Sequence, residues 1–115
     1  MRGDPVHMEV SSADASGGVA FAIYPAGSAT AITLGAAQFV HITDLILVST
    51  AGGDYAVVAD TDAAGRRAAK GNADALGGLA HHYEEPYVCP KGVTPKLIAD
   101  AGQISCILQG YLTEV

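Results

Sequence analysis

The stretch Phe39-Val40-His41-Ile42-Thr43-Asp44-Leu45-Ile46-Leu47-Val48-Ser49-Thr50 decides the fold. Its residues are mostly β-branched, aromatic or aliphatic, and they carry no helical 3.6-residue repeat. Read as one extended strand, it places Val40, Ile42, Ile46 and Val48 on one face, with Asp44 among them. Phe39, Leu45 and Leu47 then share the other face with His41 and Thr43. Gly52-Gly53 follows and reads as a hairpin turn, with Tyr55-Ala56-Val57-Val58-Ala59 as the natural return strand.

Working outward, the same rhythm repeats. Val19–Tyr24 is a strand ended by Pro25 and Gly27, and Ala29–Leu34 a second ended by Gly35. Leu79–Tyr83 is extended until Pro86 breaks it, and Tyr87-Val88-Cys89 follows. Pro90-Lys91-Gly92 is a turn, Pro95–Ala99 a short strand, and Asp100-Ala101-Gly102 another turn. In the last strand, Ile104, Cys106 and Leu108 lie on one face and Ser105, Ile107, Gln109 and Tyr111 on the other. Residues 60–76 read as an exposed loop with a short strand, or one or two helical turns over Ala64–Lys70 limited by Gly65 and Gly71. About eight short strands separated by turn signals predict an all-β, jelly-roll-like β-sandwich.

The first eighteen residues stand apart. Val6, Met8 and Val10 alternate with His7 and Glu9, and Ser11–Gly18 reads as a flexible connector. The expected organisation is therefore an N-terminal arm and connector at 1–18 and a β-sandwich domain at 19–115. Such an arm can pair with a sheet edge, its own or a neighbour's. Val6, Met8 and Val10, together with the one basic cluster, Arg66, Arg67 and Lys70, are the expected partner-contact residues.

Composition narrows the function. With 6 Lys and Arg against 12 Asp and Glu, the net charge is -6. Phosphate binding needs clustered cations, so nucleic acid is not an expected partner. No stretch approaches the roughly 20 apolar residues of a membrane span, and no secretory leader is evident after Met1. Cys89 and Cys106 are too few for a disulfide scaffold and sit in apparent strands, which suits buried thiols. The sparse surface charge suggests that part of the surface is covered by a partner or by further subunits.

Chemistry-bearing clusters are few. His81-His82-Tyr83-Glu84-Glu85, with Cys89 nearby, holds metal-ligating side chains. In a strand, however, His81 and His82 point to opposite faces, and no histidine lies downstream to complete a cupin-like site. Asp60-Thr61-Asp62 with Gly65 begins like a calcium loop, but Ala64 and Gly71 stand where oxygen ligands are needed. Lys70 precedes Gly71 in the wrong order for a phosphate loop. Glu84 and Glu85 diverge when extended. The expectation is no catalytic residue, no metal and no cofactor. Arg2-Gly3-Asp4 matches an integrin tripeptide that is short enough to arise by chance.

The run from Val40 to Tyr55, the Pro90-Lys91-Gly92 turn and the closing strand Gln103–Leu112 are similar to small jelly-roll proteins that decorate tailed-bacteriophage capsids. The resemblance covers residues 19–115 and rests on strand rhythm and turn placement. It implies a structural, non-enzymatic virion protein that stabilises the capsid exterior by bridging subunits. It further implies a homotrimer, the major capsid protein as partner, and synthesis in the host cytoplasm. The alternative is a receptor- or carbohydrate-binding β-sandwich of a phage tail or head fibre, with Tyr83 and Tyr87 available to a sugar. A cupin-like metal enzyme using His81 or His82 with Glu84 is the third reading.

Overall fold

The computed structural model describes residues 3–12, 18–50, 52–59, 65–73, 76–99 and 104–114. These form nine strands: β1 (Asp4–Ser12), β2 (Val19–Ala20), β3 (Ala22–Pro25), β4 (Gln38–Ser49), β5 (Gly53–Val58), β6 (Arg67–Ala73), β7 (Gly77–Val88), β8 (Lys96–Ala99) and β9 (Ile104–Glu114). A five-stranded sheet has the order β3-β1-β9-β4-β7, and a four-stranded sheet the order β2-β8-β5-β6. All pairings are antiparallel. β4 pairs with β9 in one sheet while β5 pairs with β8 in the other. One long ribbon thus wraps across both sheets, and β7 and β6 extend it beside β4 and β5. That wrapped, two-sheet connectivity is a jelly roll, as the strand rhythm predicts.

The inward-facing positions of both sheets make one core. β1 contributes Val6, Met8 and Val10, β4 Val40, Ile42, Leu45 and Leu47, and β9 Ile104, Cys106, Leu108 and Leu112. Phe21, Ile23, Val57 and Leu97 close it. Burying each large aliphatic side chain contributes about 1.5–3 kcal/mol.

Several sequence expectations are corrected. Residues 4–12, the expected arm, pair with the chain's own sheet, inside it and not at its edge. β1 lies inside the five-stranded sheet between β3 and β9, in continuous register with β9 from Asp4↔Leu112 to Ser12↔Ile104. Val6, Met8 and Val10 alternate because they fill the chain's own core, which withdraws them from partner contact. Gly52-Gly53 does not close a β4–β5 hairpin. Both glycines take positive φ, 78° and 122°, and carry the chain from one sheet to the other. The Ser49 hydroxyl, itself buried, accepts a hydrogen bond from the Gly52 amide at 2.7 Å and fixes that crossing. Ala29–Leu34 is not a strand; Ile32 only bridges Ile23. Pro86 does not end β7, which runs on to Val88, but it lies in the stretch Tyr83–Pro86 that has left β4, so its missing donor falls where β4 offers no partner. The helical option within 60–76 gives way to the strand β6; Asp60–Ala64 lie outside the described residues.

The correction with the largest consequence is in β4. Its register with β9 shifts between Ile42 and Asp44, a β-bulge at Thr43, and its pairing with β7 breaks at the same point, leaving Tyr83–Pro86 without a β4 partner. The extra residue reverses the inside–outside phase. Val40 and Ile42 point inward before the bulge, and Leu45, Leu47 and Ser49 after it. Gly110 lies opposite on β9, where a Cβ would stand 1.8 Å from the His41 carbonyl oxygen. The bulge therefore requires glycine there.

Candidate interaction face on the five-stranded sheet

The phase reversal turns Ile46 and Val48 out of the core. Ile46 is cross-strand neighbour to Ile107 on β9 and Ala80 on β7, and Val48 to Ser105 and Gly78. Ile46, Val48 and Ile107 are 45%, 54% and 39% exposed, so an apolar strip runs along the central strands of the sheet's outer surface. At the other end of the same face, Val88 is exposed beside His41, Tyr111 and Thr113.

Three histidines flank this strip, each with a partner of its own. His41 stacks on Tyr111 with ring centroids 4.4 Å apart, and its Nε2 lies 2.8 Å from Thr113 Oγ1. Partial burial holds its pKa below the ordinary histidine value. His82 Nδ1 lies 2.8 Å from Asp44 Oδ1, and the Thr43 hydroxyl donates to Asp44 Oδ2 at 2.9 Å. The His82 hydrogen bond, then that from Thr43, lowers the Asp44 pKa. His7 stacks on Tyr24 at 5.0 Å, with Nε2 4.0 Å from Glu9 Oε2. Glu84, two residues beyond His82 on β7, is exposed. The five strands contain no Lys or Arg.

Two shallow hollows, each about 300 Å3, lie on either side of Gln109. Asp44, Ile46, Ala80 and His82 line one; His7, Thr43 and Gly110 line the other. The bulge at Thr43 and the bare backbone at Gly110 shape the second of these.

The remaining candidates from the sequence are dispersed. His81 and His82 do point to opposite sides of β7. His81 packs edge-on against Tyr83 at 4.5 Å, near the seam with β6. Both histidines are exposed. Among the described residues, no group of three or more His, Cys, Asp or Glu is placed to hold a metal ion. Tyr83 and Tyr87 turn inward against the core, and the Tyr83 hydroxyl donates to the Ala68 carbonyl at 2.6 Å. Burial raises the Tyr83 pKa to about 12. Neither ring is thus presented outward as a sugar platform. Cys89 and Cys106 are buried free thiols, both pushed up to about 12 by burial, which leaves them protonated and unreactive at neutral pH. Arg67 and Lys70 are exposed on β6, in the other sheet, and Arg66 is exposed just before it.

Sequence reading missed the face itself, because it assigned Ile46 and Val48 to the side of Val40 and Ile42. The signal was present. That assignment also put the Asp44 carboxylate among four core side chains, which is prohibitive without a partner. A phase shift just before Asp44 removes the conflict.

No family model matches the chain, and no curated protein matches it. Among solved structures, the Eiger TNF from S. frugiperda is similar in outline, at 10% identity and a TM-score of 0.46 over 100% of this chain and 96% of that chain. The jelly-roll assignment rests on the strand order of the two sheets.

Proposed function

We propose that this chain is a non-enzymatic structural module that works by association, decorating and stabilising the outside of a tailed-phage capsid as a homotrimer that bridges capsid subunits. The observation that carries the associative part is the exposed strip Ile46, Val48 and Ile107 on the central strands of a sheet free of Lys and Arg. An apolar strip at the centre of a regular sheet is stabilised when another surface covers it. The capsid as destination is supported by the similarity of residues 19–115 to small decoration proteins in strand rhythm and turn placement. The exposed cations Arg67 and Lys70 lie on the other sheet, with Arg66 just before β6.

Light scattering coupled to size exclusion tests the assembly, and co-sedimentation with expanded phage capsids tests the destination. A trimer that pellets with capsids is expected. A protein that stays in the supernatant at saturating capsid concentration sinks the decoration reading.

A further inference from the structure

We infer that Leu76 is the anchor by which this chain seats itself on the capsid, its side chain entering an apolar pocket of the major capsid protein. The inference rests on the decoration reading above and adds the residue, and the pole of the molecule, that make the contact.

Leu76 sits in the turn that leads into β7, and the fold itself gains nothing from a leucine there. Its φ is 56°, in the left-handed region, and among the described residues no other than glycine takes a positive φ. A Cβ crowds the following carbonyl in that conformation, so glycine or asparagine usually fills it. Packing returns nothing for the strain. Leu76 is 87% exposed, more than any other large apolar residue described. The turn is nonetheless held, because the Leu76 amide donates to the Thr50 carbonyl at 3.1 Å, just past the end of β4. Gly77 and Gly78 follow without side chains, so the leucine stands clear of its own strand. A strained backbone that displays an apolar side chain to water weakens the free chain. The loss is recovered when a second surface buries that side chain, and a turn already fixed gives up little freedom on binding.

Its place in the molecule selects the occupant. β4 and β7 are each 12 residues long, about 40 Å at about 3.3 Å per residue, and the longest extent of the molecule is 39 Å. The strands therefore run along the long axis, and Leu76, just before the first residue of β7, marks one pole. The apolar strip Ile46, Val48 and Ile107 lies on a side of the sandwich instead. Copies of a cyclic trimer that meet through their sides leave three like poles facing one way. A contact at the pole is then offered to the capsid three times at once. Linked contacts multiply, so a modest gain at each leucine becomes a firm hold.

The test is co-sedimentation of the full chain with expanded phage capsids over a concentration series, alongside thermal melts and light scattering. Burying one leucine side chain is worth roughly 10- to 100-fold in affinity. Leu76→Gly and Leu76→Asn should therefore weaken capsid binding at least roughly tenfold. Each should melt no lower than the native protein, because each relieves the left-handed strain, and each should keep the native mass. Leu76→Met keeps both the strain and an apolar side chain, and should bind within about threefold of native. Ile32→Thr changes an exposed apolar site beside β3, at the opposite edge of the sheet from β7, and should bind as the native chain does. Glycine and asparagine variants that bind like the native protein overturn the inference and leave the decoration reading standing. So does a loss of binding accompanied by a lower melting temperature, which makes Leu76 a residue of the fold, or by a smaller mass, which puts it between copies. Native protein that stays in the supernatant sinks the decoration reading, and the anchor with it, before any variant is compared.

Discussion

The two sheets share one core and differ in almost everything they show to solvent. The five-stranded sheet holds all four histidines, His7, His41, His81 and His82, and no Lys or Arg. The four-stranded sheet holds Arg67, Lys70 and Lys96 with the single acid Asp54. The first also contains the bulge at Thr43, which exposes two aliphatic side chains of its central strand; β5, central in the second sheet, buries Tyr55, Ala56, Val57 and Val58. The difference shows how one inserted residue can convert an ordinary sheet surface into a surface that invites another. It also separates two kinds of electrostatics: fixed cations on one side, titratable ones on the other.

The largest effect that sharpens this contrast comes from glycine. Gly110→Ala places a Cβ against the His41 backbone, so the bulge or β9 must move; we expect a loss of at least about 3 kcal/mol in chemical denaturation. Gly71→Ala in the four-stranded sheet meets the end of the Tyr55 ring at 3.0 Å, which can yield, and should cost no more than about 1 kcal/mol. Equal losses at the two positions would mean that the bulge carries no special constraint. Next comes Met8→Ala. A fully buried methionine in β1 should cost about 2–5 kcal/mol in the dilute, dissociated chain, whereas a residue of a free arm would cost almost nothing there.

The smallest effect is in the pH profile of folding. The folded-state pKa of His41 lies below its unfolded value, so the unfolded chain binds the extra proton first as pH falls. This part of the stability is complete above about pH 6.5 and declines as pH drops through that value towards the folded pKa. Asn at position 41 should flatten this segment in pH-dependent thermal melts. Asp44 acts at the acid end: its lowered pKa stabilises the fold above the ordinary carboxylate value, and that contribution is lost as pH falls through the folded pKa.

Most strands were legible in the sequence because period-2 patterning and turn residues act locally. The inward faces of β1 and β9 follow directly from the alternation of Val6, Met8 and Val10 and of Ile104, Cys106 and Leu108. What stayed hidden was non-local. Nothing near Gly52-Gly53 states whether the next strand folds back or crosses to the other sheet. Nothing near Val10 states that Cys106, almost the whole chain away, is its neighbour. The continuity of β7 through Pro86 depends on where β7 leaves β4, a property of the sheet and not of the proline. The interaction face depended on a single bulge, and only the misfit of Asp44 in a core position betrayed it.

The pairing of β1 with β9 also sets a timetable for the molecule's birth. β1 leaves the ribosome before the other described strands, yet its partner along the whole of its length is made after all of them. The five-stranded sheet cannot close until residue 114 is free. Met8 and its neighbours therefore lack their β9 partners until β9 is made, and closing the sheet means closing a long loop, which places folding on the millisecond-to-second scale of all-β domains.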